Sequence, residues 1–600
     1  MASTMAPRIQ FRHVAMSAPP ERPLFGQSIA AGPRAPAALA RGRSYLTPKG
    51  MWRSVMHERH AAGLALALLL AGCGRGPEFV EGPAVEPNPN PRAPLAAVLG
   101  FETNVPVSTE VAITDGVNAW TLEYGTGEDP ADGLALVGMR PGRTHRIEVS
   151  VRDGAGREGS AGPFEFETPP LPEVGTEFPP VETRVSEPAL MEPGVTLFNP
   201  RRRRVGVSQE IADYNASFGM LMALDAVGDV VWYYRTDSRI SDFEKLDNGN
   251  LAFLTADNRL LEIDWLGNTV RSWYAARRPQ GPAEGVPVDA QTFHHEIDEL
   301  PNGNIVVLGT QWKEIDGYYT SETDPDAPRE RQKVMGDVIH EFERDTGRIV
   351  WEWRAFDHMD PFRIGYETIS PYWIRRGFPD TVDWSHANNL LYDASDDSLI
   401  VNFRYQAAAV KIDRATREII WIFGEPSGWG ALSDKVLQAD GDVRWPYHQH
   451  SPSPTPQGTL LLFDNGNYQA RPFDPPLPIE ETWSRAVEYA IDEDRRTVRE
   501  VWQSEAFGPD RVIAVAMGDA DWLPETGNVL VAYGALVDPD SLGKIDWPPS
   551  SRLQFNQWTR LREYRRTDPP EVVYEVVLET GKPDLGWTLF GAERIDRLGR

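Results

Sequence analysis

From about residue 194 to the C-terminus, apolar and polar positions alternate in short runs broken by tight turns, the pattern of half-buried strands. Two hairpin patterns recur there. One is strand, turn, strand: FEKLDNGNLAFL at 243, IDELPNGNIVVLG at 297, LLYDASDDSLIVNF at 390, SPSPTPQGTLLLF at 451 and ADWLPETGNVLVAYG at 520. The other ends on an aromatic residue, as in LLEIDWLGNTVRSWY or AVKIDRATREIIWIF. Six copies of the second alternate strictly with five of the first. Two hairpins per unit predict four-stranded blades and a six-bladed β-propeller over residues 194–600. The missing inner hairpin has a source at the two ends of this region: Thr196 to Pro200 and Trp587 to Ile595 are placed to pair and close the ring. An aromatic- and charge-rich insertion, Arg354 to Val382, lies between the third and fourth units, and a lid over the channel mouth is the favoured reading.

Upstream, residues 94–170 show shorter alternating runs between Gly, Asp and Pro turns, predicting a small β-sandwich. Pro/Glu-rich composition makes 73–93 a tether and 171–193 a linker. Residues 51–72 read as a lipoprotein signal peptide. His57, Arg59 and His60 precede an apolar run from Ala61 to Ala71 that is too short to span a bilayer, and Leu70-Ala71-Gly72-Cys73 looks like a bacterial lipobox. Cys73 is the only cysteine, which suits lipidation better than a disulfide. Translation is expected to start at Met51 or Met56, leaving residues 1–50 as a mis-assigned or disordered leader. The expected location is the cell envelope of a bacterium, periplasm or outer membrane, with the lipid as the sole membrane contact.

Composition narrows the function. The 60 basic and 88 acidic residues give a net charge of −28, a surface that repels nucleic acid, so an anionic substrate needs a local cluster of donors. Histidine is scarce, 11 in 600 residues. Counting nine residues back from Asn304, Thr459, Asn528 and Asn250 lands on His295, His450, Asp519 and Ser241, equivalent positions near the start of each innermost strand. In the fourth unit DWSHANN puts His386 at nearly the same height, with Asn388 on the same side of an extended strand and Arg404 on the adjoining one. His295, His386, Asn388, Arg404 and His450 therefore form a candidate catalytic constellation. His294, His448 and Asp519 stand next to it as supporting or substrate-binding groups.

HHEIDELPNGN, the H-A-N pattern followed sixteen residues after Asn388 by Arg404, the QH ahead of PQGTLLLFDNG, and the ending FGAERID together resemble the bacterial aryl sulfotransferases that do not use PAPS. The resemblance covers about residues 190 to 600 and implies a small N-terminal β-domain before a six-bladed propeller. It departs at Ser451, where the family commonly has an acidic residue, and at the Thr-Pro-Gln-Gly turn, where Asn-Gly is usual.

That resemblance implies His450 as nucleophile, forming a sulfo-histidine in a ping-pong transfer from an aryl sulfate donor to a phenolic acceptor. It implies Arg404 holding the sulfuryl oxygens, with His295, His386 and Asn388 as further donors and one of the two histidines as the acid. No cofactor is implied, and the chain has no Walker-type loop for a nucleotide donor. Two other readings stay open. Three converging histidines also suit a metal hydrolase, and a lipid-anchored binding propeller needs no chemistry at all. The oligomeric state is not legible.

Overall fold

The computed structural model describes residues 76–506, 508, 511–537 and 555–599. The leader, the signal peptide and Cys73 lie outside them. The fold is nearly all β. Among the described residues no helix is long and apolar enough to cross a membrane.

The N-terminal part has two sheets. A three-stranded one joins Phe79–Pro87, Ala97–Thr103 and Leu134–Leu136, and a four-stranded one joins Ala119–Tyr124, Val107–Thr114, Thr144–Asp153 and Glu158–Glu167. Thr144–Asp153 alternates strictly between exposed and buried. Its buried Ile147, Val149 and Val151 share an apolar cluster with Leu99 and Phe101 of the other sheet.

Two boundaries differ from the sequence reading. The supposed tether, 73–93, holds the strand Phe79–Pro87, which pairs antiparallel with Ala97–Thr103. Asn88 Nδ2 then donates to Leu266 O at 2.9 Å, fastening the following loop to the larger unit. The supposed linker, 171–193, holds Glu182–Ser186, which pairs with Glu571–Leu578 as the outermost strand of the last sheet. Both are edge strands, where Pro and charge are tolerated because one ladder face needs no partner. Their composition therefore hid them.

From residue 195 the strands form six sheets of four or more strands, taken in chain order. Five begin with Ile240–Lys245, His294–Glu299, Ala387–Asp393, His450–Pro454 and Asp519–Trp522, and each of these first strands packs on the next. The remaining one, first in chain order, is closed by the ends of the region as expected: Ala592–Ile595 pairs antiparallel with Val195–Phe198, which pairs with Gly219–Leu224.

The turn residues used to count the repeats have a structural job. Asn250 Nδ2 donates to Glu262 at 2.7 Å, Asn304 Nδ2 to Glu341 at 2.7 Å, Thr459 Oγ1 to Glu488 at 2.5 Å and Asn528 Nδ2 to Glu563 at 2.6 Å. Each buried glutamate then pairs with an arginine beyond its own sheet: Glu262 with Arg344, Glu341 with Arg414, Glu488 with Arg566 and Glu563 with Arg594. In the fourth sheet the polarity is reversed, with Lys411 facing Glu493 at 3.2 Å. A repeated buried ion pair that is also hydrogen-bonded fixes how one sheet sits on the next.

The first strands also carry Asp242, Glu296 and Asp519, and the closing strand carries Glu593, crowded enough for their fields to act on one another. Burial pushes Asp242 up to about 7 and Glu593 up to about 8. The native state therefore holds protons that the unfolded chain has released, so stability falls as pH rises through this range. The buried histidines act with the opposite sign, but only below about 6.5, the pKa of an unfolded imidazole. The melting temperature should accordingly fall between about pH 6.5 and 8.5, and Glu593→Gln should flatten the slope. A melting temperature that climbs across that interval contradicts this account.

Candidate functional site

The site lies where the first strands bend. The ladder pairs His294 with Leu308 and Ile297 with Val307, so His295 and Glu296 are extruded. Similar irregularities fall between Ile240 and Phe243, Ala387 and Asn389, and His450 and Ser453. A bulge re-aims side chains that would otherwise alternate. By ladder position His450 corresponds to His294, not to His295 as counting suggests, because the His294–Glu299 strand carries the larger bulge. His295 (φ 59°), His386 (φ 50°) and Ser451 (φ 50°) are left-handed, a conformation costly for residues with a Cβ and concentrated at functional sites.

His295, His386, Arg404 and His450 line one cavity of about 960 Å³. The imidazoles of His295 and His386 lie 4.9 Å apart, and Phe590 stands 5.9 Å from His295 and 6.2 Å from His450, centroid to centroid. Arg404 sits in a short turn, Arg404–Gln406, just past the strand Ser398–Phe403 rather than on it.

The other four candidates stand behind this wall. Asn388 spends its amide on protein: Nδ2 donates to Gln449 O at 3.0 Å and Oδ1 accepts from Asn402 at 2.6 Å. The bulge after Ala387 turns it away from the side predicted for a regular strand, and it holds the backbone next to His450. His294 bridges Gly309 O at 3.1 Å and His295 Nδ1 at 2.8 Å. His448 packs between Tyr405 and Tyr468. Asp519 accepts from Ala520 N and Ala592 N, at the acidic crowd of the first strands.

Hydrogen bonds fix the protons. Asn465 Nδ2 donates to Ala514 O at 3.0 Å and Met517 O at 2.9 Å, so Oδ1 is the atom that faces His450 Nδ1 at 2.6 Å. His450 must then carry its proton on Nδ1 and its lone pair on Nε2, which accepts from Met517 N at 3.2 Å. Burial, reinforced by the charge of Arg404, holds this imidazole well below the usual histidine range, so it is neutral.

A second chain of bonds runs from Gly309 O through His294 to His295. If His294 donates from Nε2 to the carbonyl, His295 donates from Nδ1 and presents Nε2 to the Tyr372 hydroxyl at 3.3 Å. Burial takes His294 down to about 3, and burial with the neighbouring imidazoles depresses His295 as well. His386 stacks on Tyr405 at 4.4 Å and engages Asp383 Oδ2 through Nδ1 at 2.6 Å. Burial pushes the Asp383 carboxyl up to about 7.

Arg404 is fully buried. It pairs with Glu367 Oε2 at 2.5 Å and donates to Val515 O at 3.3 Å, while its Nε is buried with no acceptor among the described residues. Among the described residues, no three His, Cys, Asp or Glu side chains are disposed to hold a metal ion.

The profile of the family described as Arylsulfotransferase (ASST) matches residues 182–583. The chain belongs to the arylsulfotransferase family. The match begins at the strand Glu182–Ser186, ahead of the boundary read from sequence. Its relatives include two proteins named arylsulfate sulfotransferase AssT. That of Escherichia coli O6:H1 is 28% identical over 294 residues, 42% of this chain and 44% of the relative. That of Lelliottia amnigena is 32% identical over 261 residues, 36% and 40%. The chain thus spans less than half the length of the curated relatives it matches. Among solved structures, a protein of unknown function from Bacteroides caccae is 12% identical and covers 66% of this chain and 99% of its own, with a TM-score of 0.33, too loose a superposition to add to the fold.

The structure surrounds these histidines with groups that counting did not find. Tyr372 and Glu367 come from the insertion between the third and fourth sheets, which forms part of the cavity wall. Arg363, buried within that insertion, fastens it to Gln406 O at 2.9 Å and to Glu425 O at 3.2 Å. Asp383 stands three residues before His386 in DWSH, Asn465 lies in FDNG and Phe590 in FGAERID, so each had a sequence neighbour that pointed to it. Asn465→Ala should release the imidazole of His450 to the wrong tautomer and lower kcat by roughly 10–100-fold, as loss of an orienting partner does. KM should change little. A variant with wild-type kcat removes this role from Asn465.

Proposed function

We propose that this arylsulfotransferase moves a sulfuryl group from an aryl sulfate to a phenol by a ping-pong mechanism through sulfo-His450, without PAPS. The body that carries it is a six-bladed β-propeller, one blade for each of the six sheets, preceded by a small β-sandwich. Cys73 is proposed as its lipid anchor in the bacterial envelope.

The observation that carries the reading is the neutral, tautomerically fixed imidazole of His450 beside the buried guanidinium of Arg404 in one aromatic-walled cavity. In the first half-reaction the Nε2 lone pair attacks sulfur and the S–O bond to the aryl group breaks. The leaving phenolate takes a proton from the Asp383–His386 pair, whose Nδ1 is engaged so that exchange falls to Nε2. Positive charge developing on His450 is met at Nδ1 by Asn465 Oδ1, and Met517 N–H, displaced from Nε2, becomes a donor for a sulfuryl oxygen. In the second half-reaction an acceptor phenol gives its proton back to the pair and its oxygen attacks sulfur. The N–S bond breaks, and neutral His450 returns. Arg404 Nε, lacking an acceptor among the described residues, is matched to the sulfuryl oxygens in both steps. The aromatic wall of Tyr372 and Phe590 favours an aryl group and limits water, which would otherwise compete as acceptor.

Brief incubation with 4-nitrophenyl sulfate, followed by intact-mass and peptide mapping, should show one added sulfuryl group, on His450, discharged by phenol. Turnover with no such adduct would establish direct displacement in place of the two-step route.

A further inference from the structure

The cavity that holds the histidines is lined by many arginines in a protein of net charge −28. Several have a carboxylate: Arg92 pairs with Asp237 at 3.2 Å, Arg259 with Asp257 at 2.8 Å and Arg404 with Glu367 at 2.5 Å. Arg201, Arg239 and Arg376 also line it, and none has an ion-pair partner among the described residues. They come from three separate places: the strand Arg201–Arg204, the connection into Ile240–Lys245, and the short turn Ile374–Arg376 of the insertion. The Nε atoms of Arg201 and Arg239 are buried without an acceptor among the described residues. Burial first, and then the neighbouring guanidiniums, lowers Arg201 below the usual arginine range and Arg239 to about 10. Three cations held together against their own repulsion form an arrangement that an anion would stabilise. The carboxylate whose field acts on Arg201 is Asp242, whose own carboxyl burial pushes up to about 7, so it compensates poorly.

The group is one aromatic ring from the reaction centre on either side. Arg201 lies 4.9 Å from the centroid of Phe590, whose ring also contacts His450 and His295, and its Nη1 is 3.0 Å from the sulfur of Met517, the residue that donates to His450 Nε2. Arg376 covers the ring of Tyr372 at 3.5 Å, and the hydroxyl of that ring meets His295. We propose that Arg201, Arg239 and Arg376 form a second anion subsite, selecting phenols and aryl sulfates that carry a further anionic group, carboxylate or sulfate, across the ring from the reacting oxygen. This rests on the transfer reading above for its substrate class, and on geometry alone for the anion.

The test pairs acceptors that differ only in charge, 4-hydroxyphenylacetate and 4-hydroxyphenylacetamide, with 4-nitrophenyl sulfate as donor. The expected result is a kcat/KM at least tenfold higher for the carboxylate, shrinking as salt is raised, and falling towards a ratio of one in Arg239→Gln and Arg376→Gln. The melting temperature of each variant checks that it is folded. Calorimetric binding of the same two compounds to wild type and variants reads the subsite without turnover. Equal kcat/KM and equal affinity for the two compounds in wild type, or a preference that survives in both variants, overturns the subsite. Selective binding of the carboxylate with transfer to neither compound upholds the subsite and sinks the transferase reading. Benzene-1,4-disulfate as donor then distinguishes sources: a preference for it over 4-nitrophenyl sulfate, lost in the same variants, assigns the further anion as sulfate.

Discussion

His450→Ala is expected to lower kcat for sulfuryl transfer by at least about four orders of magnitude, the scale on which covalent catalysts lose activity when the nucleophile goes. The adduct formed with 4-nitrophenyl sulfate should vanish with it. Donor affinity should fall far less, because Arg404 and the aromatic wall remain. The size of the effect follows from the site: the other imidazoles that line the cavity are committed elsewhere, His295 to His294 and Tyr372, and His386 to Asp383. His295 presents its lone pair to Tyr372, whereas His450 has its lone pair set by Asn465 within the field of Arg404. A variant that keeps even a tenth of wild-type turnover would move the nucleophile to another residue.

Arg404→Met comes second, and it separates charge in catalysis from charge in folding. Removing the guanidinium takes from the buried Glu367 the arginine it pairs with, a loss on the order of 3–5 kcal/mol of stability for breaking one side of a buried pair. The same change removes the donor proposed for the sulfuryl oxygens and should cost roughly 100- to 1,000-fold in kcat. Adding Glu367→Gln removes the stranded charge. Chemical denaturation of the double variant should show most of the stability restored, while its turnover stays low. Recovery of turnover together with stability would make Arg404 a structural residue only.

Much of the strand order was legible because both of its signals are local. Alternation with period two needs only neighbouring residues, and turns such as Asn248-Gly249-Asn250 and Asn302-Gly303-Asn304 announce themselves by residue type. Even the pairing of the chain's two ends followed from counting, since one inner hairpin was missing and both ends had strand pattern to supply it. The edge strands Phe79–Pro87 and Glu182–Ser186 were not legible, because an edge position relaxes the very composition rules that mark a strand.

The site divides in the same way. That His295, His386, Arg404 and His450 share a cavity was readable, since repetition carries equivalent positions to the same height. Which atoms face the cavity was not readable. Bulges at His295, Asn388 and Ser451 break the period that the count assumes, sending His295 in and Asn388 back. The pairing of Arg404 with Glu367, the tautomer set by Asn465 and the gathering of Arg201, Arg239 and Arg376 join residues that are 15 or more positions apart. The sequence by itself determined the repeating strands, their closure and the histidine positions, because these depend on local pattern and its period. Only the tertiary structure decided proton placement, charge compensation and the shape of the pocket, because burial and fields act through space between segments that no local pattern connects.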